Sequence, residues 1–222
     1  LSSSSAASDV YKRQAPMSLD DLYFHKAMGY SFIGHYTPSQ NQNFYKDLNE
    51  CNTNIKECNL CQLCKIRQNS VLIDICEHSY DAKIIFVSLM AYDGIKRDID
   101  AFKALIGKEF SNAYFSFLLK CTTTRSKFEN FIANNDINAN LKPCKPYFDL
   151  EQKMLKPKII IALGAQVFKA LMGENGYAYT SVRGGLYRLG DMLVMPTHDL
   201  AFLAKNPSLK CEIIADLHKL KA

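Results

Sequence analysis

The sequence lacks any apolar run of about 18 residues or more, so no transmembrane helix is expected. It also lacks the apolar stretch near its first residues that a secretory signal contains. No internal repeat is visible, which argues against a repeat architecture. Eight cysteines without an export signal favour a reducing compartment, and we expect a cytoplasmic protein of a bacterial cell. In that compartment, clustered cysteines are more often metal ligands or redox groups than disulfides.

Length and composition predict one domain with an extension. The chain has 222 residues, and 48% of them are hydrophobic, which is enough for a sizeable core. Residues 1–14 have the pattern of a leader that is not native to the protein, because a Ser/Ala run precedes a short charged stretch without periodicity. We interpret residues 15–56 as an N-terminal helix with a polar extension and residues 57–222 as the main domain. The net charge of +5 is a mild indication of an anionic partner.

Short β-branched or aromatic runs alternate with helical patterns along the main domain. Four runs predict buried strands, at Ile84–Val87, Tyr114–Leu119, Ile159–Leu163 and Met192–Met195. Helices are predicted at Ala101–Ile106, Pro146–Leu155 and 167–172, followed by one capped by Thr197 and one begun by Asn206 and Pro207. This alternation predicts an α/β fold of three layers, with a central, mostly parallel four-stranded sheet flanked by helices. Ligands bind beyond the carboxyl ends of such strands, which here groups Ser88–Gly94, Cys121–Arg125, Gly164 and Pro196–Asp199 around one cleft.

Five cysteines form the most specific pattern in the chain. Cys58 and Cys61 have the spacing that lets one loop bind a metal centre through two thiolates. Cys121 ends a predicted strand and Cys144 begins a predicted helix, so both lie at the ends of core elements. Four thiolates suit either zinc or an iron–sulfur cluster, and spacing alone does not separate the two. Cys64 is an alternative ligand in place of Cys61.

Several segments together resemble one known family. CNLCQLCKIR, which begins at Cys58, and LLKC, which ends at Cys121, are similar to cysteine motifs of the family 4, iron–sulfur-containing uracil-DNA glycosylases. PCKPYFDLEQKMLKPKIIIALG is similar to that family's helix and the strand after it. VRGG, from Val182, resembles the family's Arg-Gly step, and MPTHDLAFLAKNP, from Met195, resembles its last motif. The resemblance covers Glu57–Lys221, with the motifs in the family's order.

The resemblance implies a uracil-DNA glycosylase-like fold and a DNA-repair glycosylase, which hydrolyses the N-glycosidic bond of uracil or another damaged base. It implies that His198 donates to the uracil O2 as negative charge develops on the leaving base. Phe202 and Leu203 would enter the minor groove of the DNA. DNA is the expected partner and a monomer the expected state, without a nucleotide cofactor or a membrane. The resemblance also implies a structural [4Fe-4S] cluster, with the ligands Cys58, Cys61, Cys121 and Cys144.

Other segments depart from the family's motifs. Where the family has GEAPG after its first strand, this chain has SLMAYD, and Leu89 takes the place of the acidic residue. Phe117 takes the place of an asparagine, and GIKRDIDAFKALIG replaces the run that carries the base-stacking phenylalanine. HPS has become HDL, beginning at His198. These departures favour an alternative, a catalytically inactive DNA-binding or damage-sensing relative that keeps the cluster scaffold. An unrelated zinc protein or electron carrier is a third hypothesis, which the order of the motifs disfavours.

The chemistry of base release indicates further candidate residues. A glycosylase stabilises the departing base anion with preorganised donors and holds the flipped base in a fitted pocket. The backbone N–H groups from Ser88 to Tyr92 are candidate donors, and the Tyr92 ring is a candidate wall of the pocket. Asp93 and Asp199 are candidates for the carboxylate that positions water, although Asp199 also suits a helix cap. Arg183, in the Arg-Gly motif, is a candidate DNA contact.

Overall fold

The computed structural model describes residues 23–24, 26–28, 51, 53, 55–70, 82–110, 112–134, 137–173 and 178–221. Six strands lie within these residues: β1 (Asn69–Ser70), β2 (Ile84–Tyr92), β3 (Tyr114–Thr123), β4 (Ile159–Leu163), β5 (Tyr187–Leu189) and β6 (Met192–Thr197). They form one sheet in the order β1-β3-β2-β4-β6-β5. No helix in this part of the chain is long and apolar enough to cross a membrane.

The four central strands are parallel, and the two short edge strands are antiparallel to their neighbours. The predicted α/β fold is confirmed, and so are the four predicted core strands. The sheet has two strands more than expected, because runs of two or three residues are too short to carry a hydrophobic pattern. Strand β4 ends where predicted, whereas the other three core strands end later, β2 by five residues, β3 by four and β6 by two.

Seven α-helices are described: α1 (Ile95–Ile106), α2 (Arg125–Asn134), α3 (Ile137–Leu155), α4 (Ala165–Met172), α5 (Tyr179–Val182), α6 (Leu200–Lys205) and α7 (Lys210–His218). Single 3-10 turns lie at Gln62–Lys65, Lys108–Phe110, Pro207–Leu209 and Lys219–Lys221. Helix α3 begins at Ile137 and continues through Pro143 and Pro146, whereas the predicted helix began at Pro146. Asp199, not Thr197, caps α6, and a 3-10 turn separates Asn206 from α7.

Helices cover both faces of the sheet. On one face, the Phe86 ring of β2 stacks on Phe115 of β3 at 4.9 Å, and the edge of Phe102 of α1 meets Phe86 at 5.3 Å. Successive residues of a strand point to opposite faces, so Ser116 lies on the face opposite Phe115. Ser116 donates a hydrogen bond to Glu151 of α3, which places α3 on that second face. The three predicted layers therefore correspond to α1, the sheet and α3.

A bulge interrupts β3 close to its carboxyl end. Met90 of β2 pairs with Leu119, but the next residue, Ala91, pairs with Thr122, so two residues of β3 have no partner on β2. These two are Lys120 and Cys121. A bulge redirects side chains and frees backbone groups from the ladder. Here it frees the N–H of Lys120, which donates to the thiol of Cys144 on α3.

A buried ion pair links the same two elements. The Lys120 Nζ lies 2.6 Å from Glu151 Oε1 and 3.2 Å from Ser116 Oγ. The Lys120 and Glu151 side chains are 3% and 4% exposed. The Lys120 ammonium also lies over the ring of Phe148, at 5.7 Å from its centre. Because charges so deeply buried must be paired, this contact fixes how α3 sits on β3.

A second, smaller hydrophobic cluster lies on the other side of α3. Ala27, Met28, Cys51 and Ile55 are buried there against α3, through Tyr147 and Leu150. Cys51 is fully buried among these apolar side chains, and burial raises the pKa of its thiol to about 12. The predicted N-terminal extension lies mostly outside the described residues, but residues 51 and 53, expected in its polar part, are helical.

We expect Glu151→Ala to lower the free energy of unfolding by about 3–5 kcal/mol, because the Lys120 ammonium stays buried without its counter-charge. The double variant Lys120→Met/Glu151→Leu should regain most of this loss, since no charge is then left buried. Urea denaturation followed by circular dichroism measures both. Asp149→Ala, at a partly exposed position of the same helix, is the matched control and should change stability by less than about 0.5 kcal/mol. A Glu151→Ala protein as stable as the native chain would contradict the role of the pair.

Candidate functional site

The carboxyl edge of the four parallel strands gathers the predicted site residues. Strands β2, β4 and β6 lie side by side, and each ends at this edge. Asp93 follows β2, Gly164 follows β4 and His198 follows β6. Neighbouring strands lie about 4.8 Å apart, so His198 and Asp93 are separated across the edge by roughly 10 Å.

His198 is held at this edge by two neighbours. Its Nε2 lies 3.0 Å from Oε2 of Glu212 on α7, and its ring lies 5.8 Å from that of Phe202 on α6. The His198 side chain is 14% exposed, so the ring is mostly enclosed and its orientation is set by these contacts. Phe202 is 50% exposed, which places a bare aromatic ring on the surface beside the histidine.

Asp199 caps helix α6. Its Oδ1 accepts hydrogen bonds from the N–H of Ala201 at 2.8 Å and of Phe202 at 3.1 Å. Burial raises the pKa of Asp199, and these two bonds together with nearby Arg125 oppose that rise. Gly164 packs closely here, since a Cβ on it would lie 3.2 Å from Asp199 Cβ. The geometry therefore gives Asp199 the capping role that its sequence position also suited.

Tyr92 is buried, at 2% exposure, and its hydroxyl is hydrogen-bonded within the protein. The hydroxyl donates to Asp98 Oδ2 at 2.6 Å, and the Arg125 guanidinium lies over the ring at 5.1 Å. Burial and the Asp98 carboxylate both raise the pKa of Tyr92. Arg125 also donates to the carbonyl of Ala201, so this cluster ties the ends of β2 and β3 to α6. Tyr92 thus lies beneath the edge as a support, with little of its ring open to a ligand.

Strand β2 includes Ser88 to Tyr92, most of the Ser88–Gly94 segment that was expected to line the ligand cleft. Ser88 lies four residues before the end of β2 and is 3% exposed. From Ser88 to Tyr92 the backbone of β2 pairs with β3 on one side, apart from the bulge, whereas its pairing with β4 on the other side ends at Val87. Asp93 is exposed, and its N–H donates to the carbonyl of Thr123 at 3.0 Å. Asp93 is therefore the first carboxylate after β2 that faces solvent.

The remaining predicted DNA contacts have different surroundings. Arg183 is 23% exposed and pairs with Asp216 at 2.8 Å and with Glu212 at 3.0 Å. Leu203 is buried, at 8% exposure, and packs in the main core. Of the two residues that were expected to enter the minor groove, only Phe202 is presented to the surface.

Cys61 and Cys144 form a hydrogen-bonded thiol pair. The bond from Cys144 lowers the pKa of Cys61 below its ordinary value, and the N–H groups of Leu63 and Cys64 contribute to the same effect. The same bond, with burial, raises the pKa of Cys144. Thiolates are the form of cysteine that binds metal ions.

Cys58 and Cys121 lie near this pair. Burial raises the pKa of Cys121 to about 12, and the negative charges of Cys61 and Cys58 add to that rise. Arg67 joins the two segments, since its side chain hydrogen-bonds to the Cys121 thiol and donates to the Cys58 carbonyl at 2.8 Å. The N–H of Gln68 donates to the Thr122 carbonyl, and β1 then pairs with β3. Within the described residues, however, no three His, Cys, Asp or Glu side chains are grouped closely enough for a single metal ion.

Sequence reasoning missed Glu212, Asp216 and Arg67. Glu212 and Asp216 lie four residues apart on α7, which places both carboxylates on one helix face. That spacing is visible in the sequence, but it is common on solvated helices and gave no reason to link α7 to His198. Arg67 lies in the quoted CNLCQLCKIR motif, and its contact with Cys121 depends on the fold.

Comparisons with known proteins agree with the motifs. A family model described as the Uracil DNA glycosylase superfamily matches residues 26–218. The chain is also similar to a type-4 uracil-DNA glycosylase of Sulfurisphaera tokodaii, with 29% identity over 126 residues. That alignment covers 54% of this chain and 54% of the relative, so the chain spans about half the length of the curated relative it matches. The predicted family resemblance is confirmed, and neither match supports a catalytically inactive relative.

We expect Gly184→Ala to destabilise the protein more than Gly190→Ala. Both glycines have positive φ, +69° and +58°, so both variants carry backbone strain of about 1–3 kcal/mol. A Cβ on Gly184 would also lie 2.2 Å from Asp216 Oδ1 and 2.6 Å from Lys219 Nζ, whereas one on Gly190 would meet nothing within 4 Å. Both variants carry the backbone strain and only Gly184→Ala carries the clash, so the difference between their free energies of unfolding in urea measures the cost of the clash. Equal losses of stability would show that the backbone near Asp216 can move aside.

Proposed function

The chain belongs to the uracil-DNA glycosylase superfamily, and we propose that it is a DNA glycosylase that hydrolyses the N-glycosidic bond of uracil or another damaged base in DNA. The observation that supports this most is His198, a half-buried donor at the carboxyl end of β6 beside the exposed ring of Phe202. An enzyme of this kind must open the stack and stabilise the base as it leaves. The two neighbouring side chains suit these two tasks.

In this proposal His198 donates a hydrogen bond to the departing base, where negative charge develops as the bond to the sugar breaks. Preorganised donors are effective because the protein needs no reorganisation when the charge appears. Asp93 is the proposed carboxylate that orients the attacking water, since it is exposed after the end of β2, at the same edge of the sheet as His198. Asp199 is less suited, because one of its oxygens already accepts two backbone hydrogen bonds.

We further propose that Cys58, Cys61, Cys121 and Cys144 hold a [4Fe-4S] cluster. The donor set fits, since all four are cysteines and Cys61 already receives two backbone N–H bonds of the kind that stabilise thiolates. When bound, the cluster would supply a structural cross-link between the Cys58 loop, β3 and α3.

His198→Ala tests the catalytic proposal. On uracil-containing duplex DNA in excess enzyme, we expect the native chain to release uracil and the variant to be slower by about 100-fold or more, because a positioned donor is lost. Gel assays of strand breaks after alkali treatment measure the rate, with hypoxanthine and mismatched substrates alongside. If the native chain releases no base from any of them, the enzyme proposal fails.

Phe202→Ala tests the proposed contact with the stack. We expect base release from duplex DNA to fall by about 10-fold and release from single-stranded DNA to fall less, because only the duplex must be unstacked. Leu186→Ala is the matched control, since among the described residues Leu186 is the other large hydrophobic side chain with high exposure, at 45% against 50%. If Phe202→Ala slowed base release equally from duplex and single-stranded DNA, the proposed role of Phe202 in opening the base stack would be contradicted.

Cys144→Ala tests the cluster. Protein prepared without oxygen should be brown and should contain iron and acid-labile sulfide in equal amounts, about four of each per chain. Cys144→Ala should lose most of the iron, whereas Cys211→Ala should keep it, because Cys211 is an exposed thiol on α7. A colourless native protein that contains zinc would contradict the cluster.

A further inference from the structure

Helix α6 carries the exposed ring of Phe202, so the orientation of this helix decides where the ring points. The helix is only six residues long, and so short a helix has little stability of its own. Leu200 and Leu203 are buried, at 2% and 8% exposure, and they fix which face of α6 turns to the core. Apolar contacts are non-directional, so they restrict the tilt of the helix less than a hydrogen bond does. A directional contact is needed to set the angle at which Phe202 stands on the surface.

Arg125, the first residue of α2, makes a directional contact with α6. Its Nη2 donates a hydrogen bond at 3.1 Å to the carbonyl of Ala201, the residue directly before Phe202. The Arg125 side chain is 30% exposed, and a hydrogen bond from a charged donor is stronger where it is partly shielded from water. Because α2 begins two residues after β3 ends, this bond joins the carboxyl end of β3 to the first turn of α6.

The guanidinium of Arg125 is itself held from the side of β2. It lies over the ring of Tyr92, the last residue of β2, at 5.1 Å from the ring centre. Its Nη1 lies 3.7 Å from Asp98 Oδ2, the oxygen that accepts the Tyr92 hydroxyl at 2.6 Å. Tyr92 and the Asp98 side chain are both buried, so two neighbours of the guanidinium are fixed in the core. Arg125 therefore fixes α6 relative to the end of β2.

A second contact between α2 and α6 is exposed to solvent. Lys205 Nζ lies 2.6 Å from Oε1 of Glu129, and these side chains are 58% and 48% exposed. Exposed ion pairs contribute little, because water solvates both charges and the long side chains lose freedom when they pair. The same Glu129 oxygen lies 3.7 Å from Arg125 Nε, which is too long for a hydrogen bond. The bond from Arg125 to Ala201 is thus the stronger connection between the two helices.

We infer that Arg125 is the positioning residue for Phe202: it sets the orientation of α6 and so the angle at which the aromatic ring meets the DNA. This inference rests on the proposed function, in which Phe202 opens the base stack. It gives Arg125 a task within the protein, although an arginine at this edge of the sheet would also suit a phosphate contact. The two roles differ in their consequences. A lost phosphate contact weakens binding to duplex and single-stranded DNA alike, whereas a misplaced ring slows base release mainly from the duplex.

Arg125→Lys tests this role with the positive charge kept. Lysine can still pair with Asp98, but its single ammonium does not reproduce the fork that also reaches the Ala201 carbonyl. We expect single-turnover base release to slow by about 3- to 10-fold from duplex DNA and by less than about two-fold from single-stranded DNA. In the Phe202→Ala background the same change should cost less than about two-fold on the duplex, since a positioning residue acts only through its partner. Equal losses on both substrates, or an undiminished loss in the Phe202→Ala background, would overturn the inference.

A fluorine label gives a readout that does not depend on activity. With 4-fluorophenylalanine in place of Phe202, the ¹⁹F resonance reports how this ring sits beside His198, whose ring lies 5.8 Å away. We expect one sharp line in the otherwise native protein and a shifted or broadened line in Arg125→Lys. An unchanged line in Arg125→Lys would overturn the inference, even in a protein whose activity is altered.

Arg97→Lys is the matched control for both measurements. Arg97 pairs with the other oxygen of Asp98 at 3.8 Å, so this variant makes the same exchange beside the same carboxylate and leaves the bond to Ala201 in place. It should change neither the fluorine line nor the ratio of duplex to single-strand rates. If the native chain released no base from any substrate, the proposed function would fail, and the fluorine line would still decide whether Arg125 orients α6.

Discussion

The position of Lys120 is the constraint on which much of the structure depends. Lys120 lies on the same face of β3 as Ser116, and its side chain contacts Glu151 of α3. The bulge at this residue frees its N–H for Cys144, and the next residue is Cys121, so the contact of β3 with α3 lies beside two of the proposed cluster ligands. A buried pair adds little net stability over apolar side chains, but it tolerates few alternative arrangements. The Lys120–Glu151 pair therefore restricts α3 to one position along β3.

The carboxyl edge of the sheet is organised by a second polar system, in which α7 supports β6. Glu212 and Asp216 reach His198 and Thr197 directly, and Arg183 fixes both carboxylates. The two systems lie on opposite sides of the sheet order, one at β3 and the other at β6, with β2 and β4 between them. The proposed cluster and the proposed catalytic histidine can therefore be supported independently. A variant that loses the cluster need not lose the orientation of His198.

The strands whose burial shows as a hydrophobic run were predictable from the sequence. The strand ends that depend on backbone pairing with a neighbouring strand were not. Runs such as Ile159–Leu163 are buried on both faces, so their continuous hydrophobic sequence is enough to predict a strand. The extension of β2 to Tyr92 depends instead on Ala91 and Tyr92 finding partners in β3 beyond the bulge, which no local pattern reveals. The cysteine set followed from spacing and motif, because few residue types bind metals. Glu212 could not be predicted in this way, because glutamates are common on the exposed faces of helices and its contact with His198 joins residues that are distant in the sequence.

The departures from the family's motifs take on a physical meaning once the length of β2 is known. Leu89 replaces the family's acidic residue, but it lies inside β2 at 3% exposure, where a carboxylate would be buried without a partner. Phe117 is likewise buried, at 2% exposure, on the neighbouring strand. Because β2 continues to Tyr92, the first position able to present a carboxylate to solvent moves to Asp93. The burial of Leu89 and the exposure of Asp93 therefore both follow from the extent of β2, and the proposed glycosylase would use Asp93 to position the attacking water.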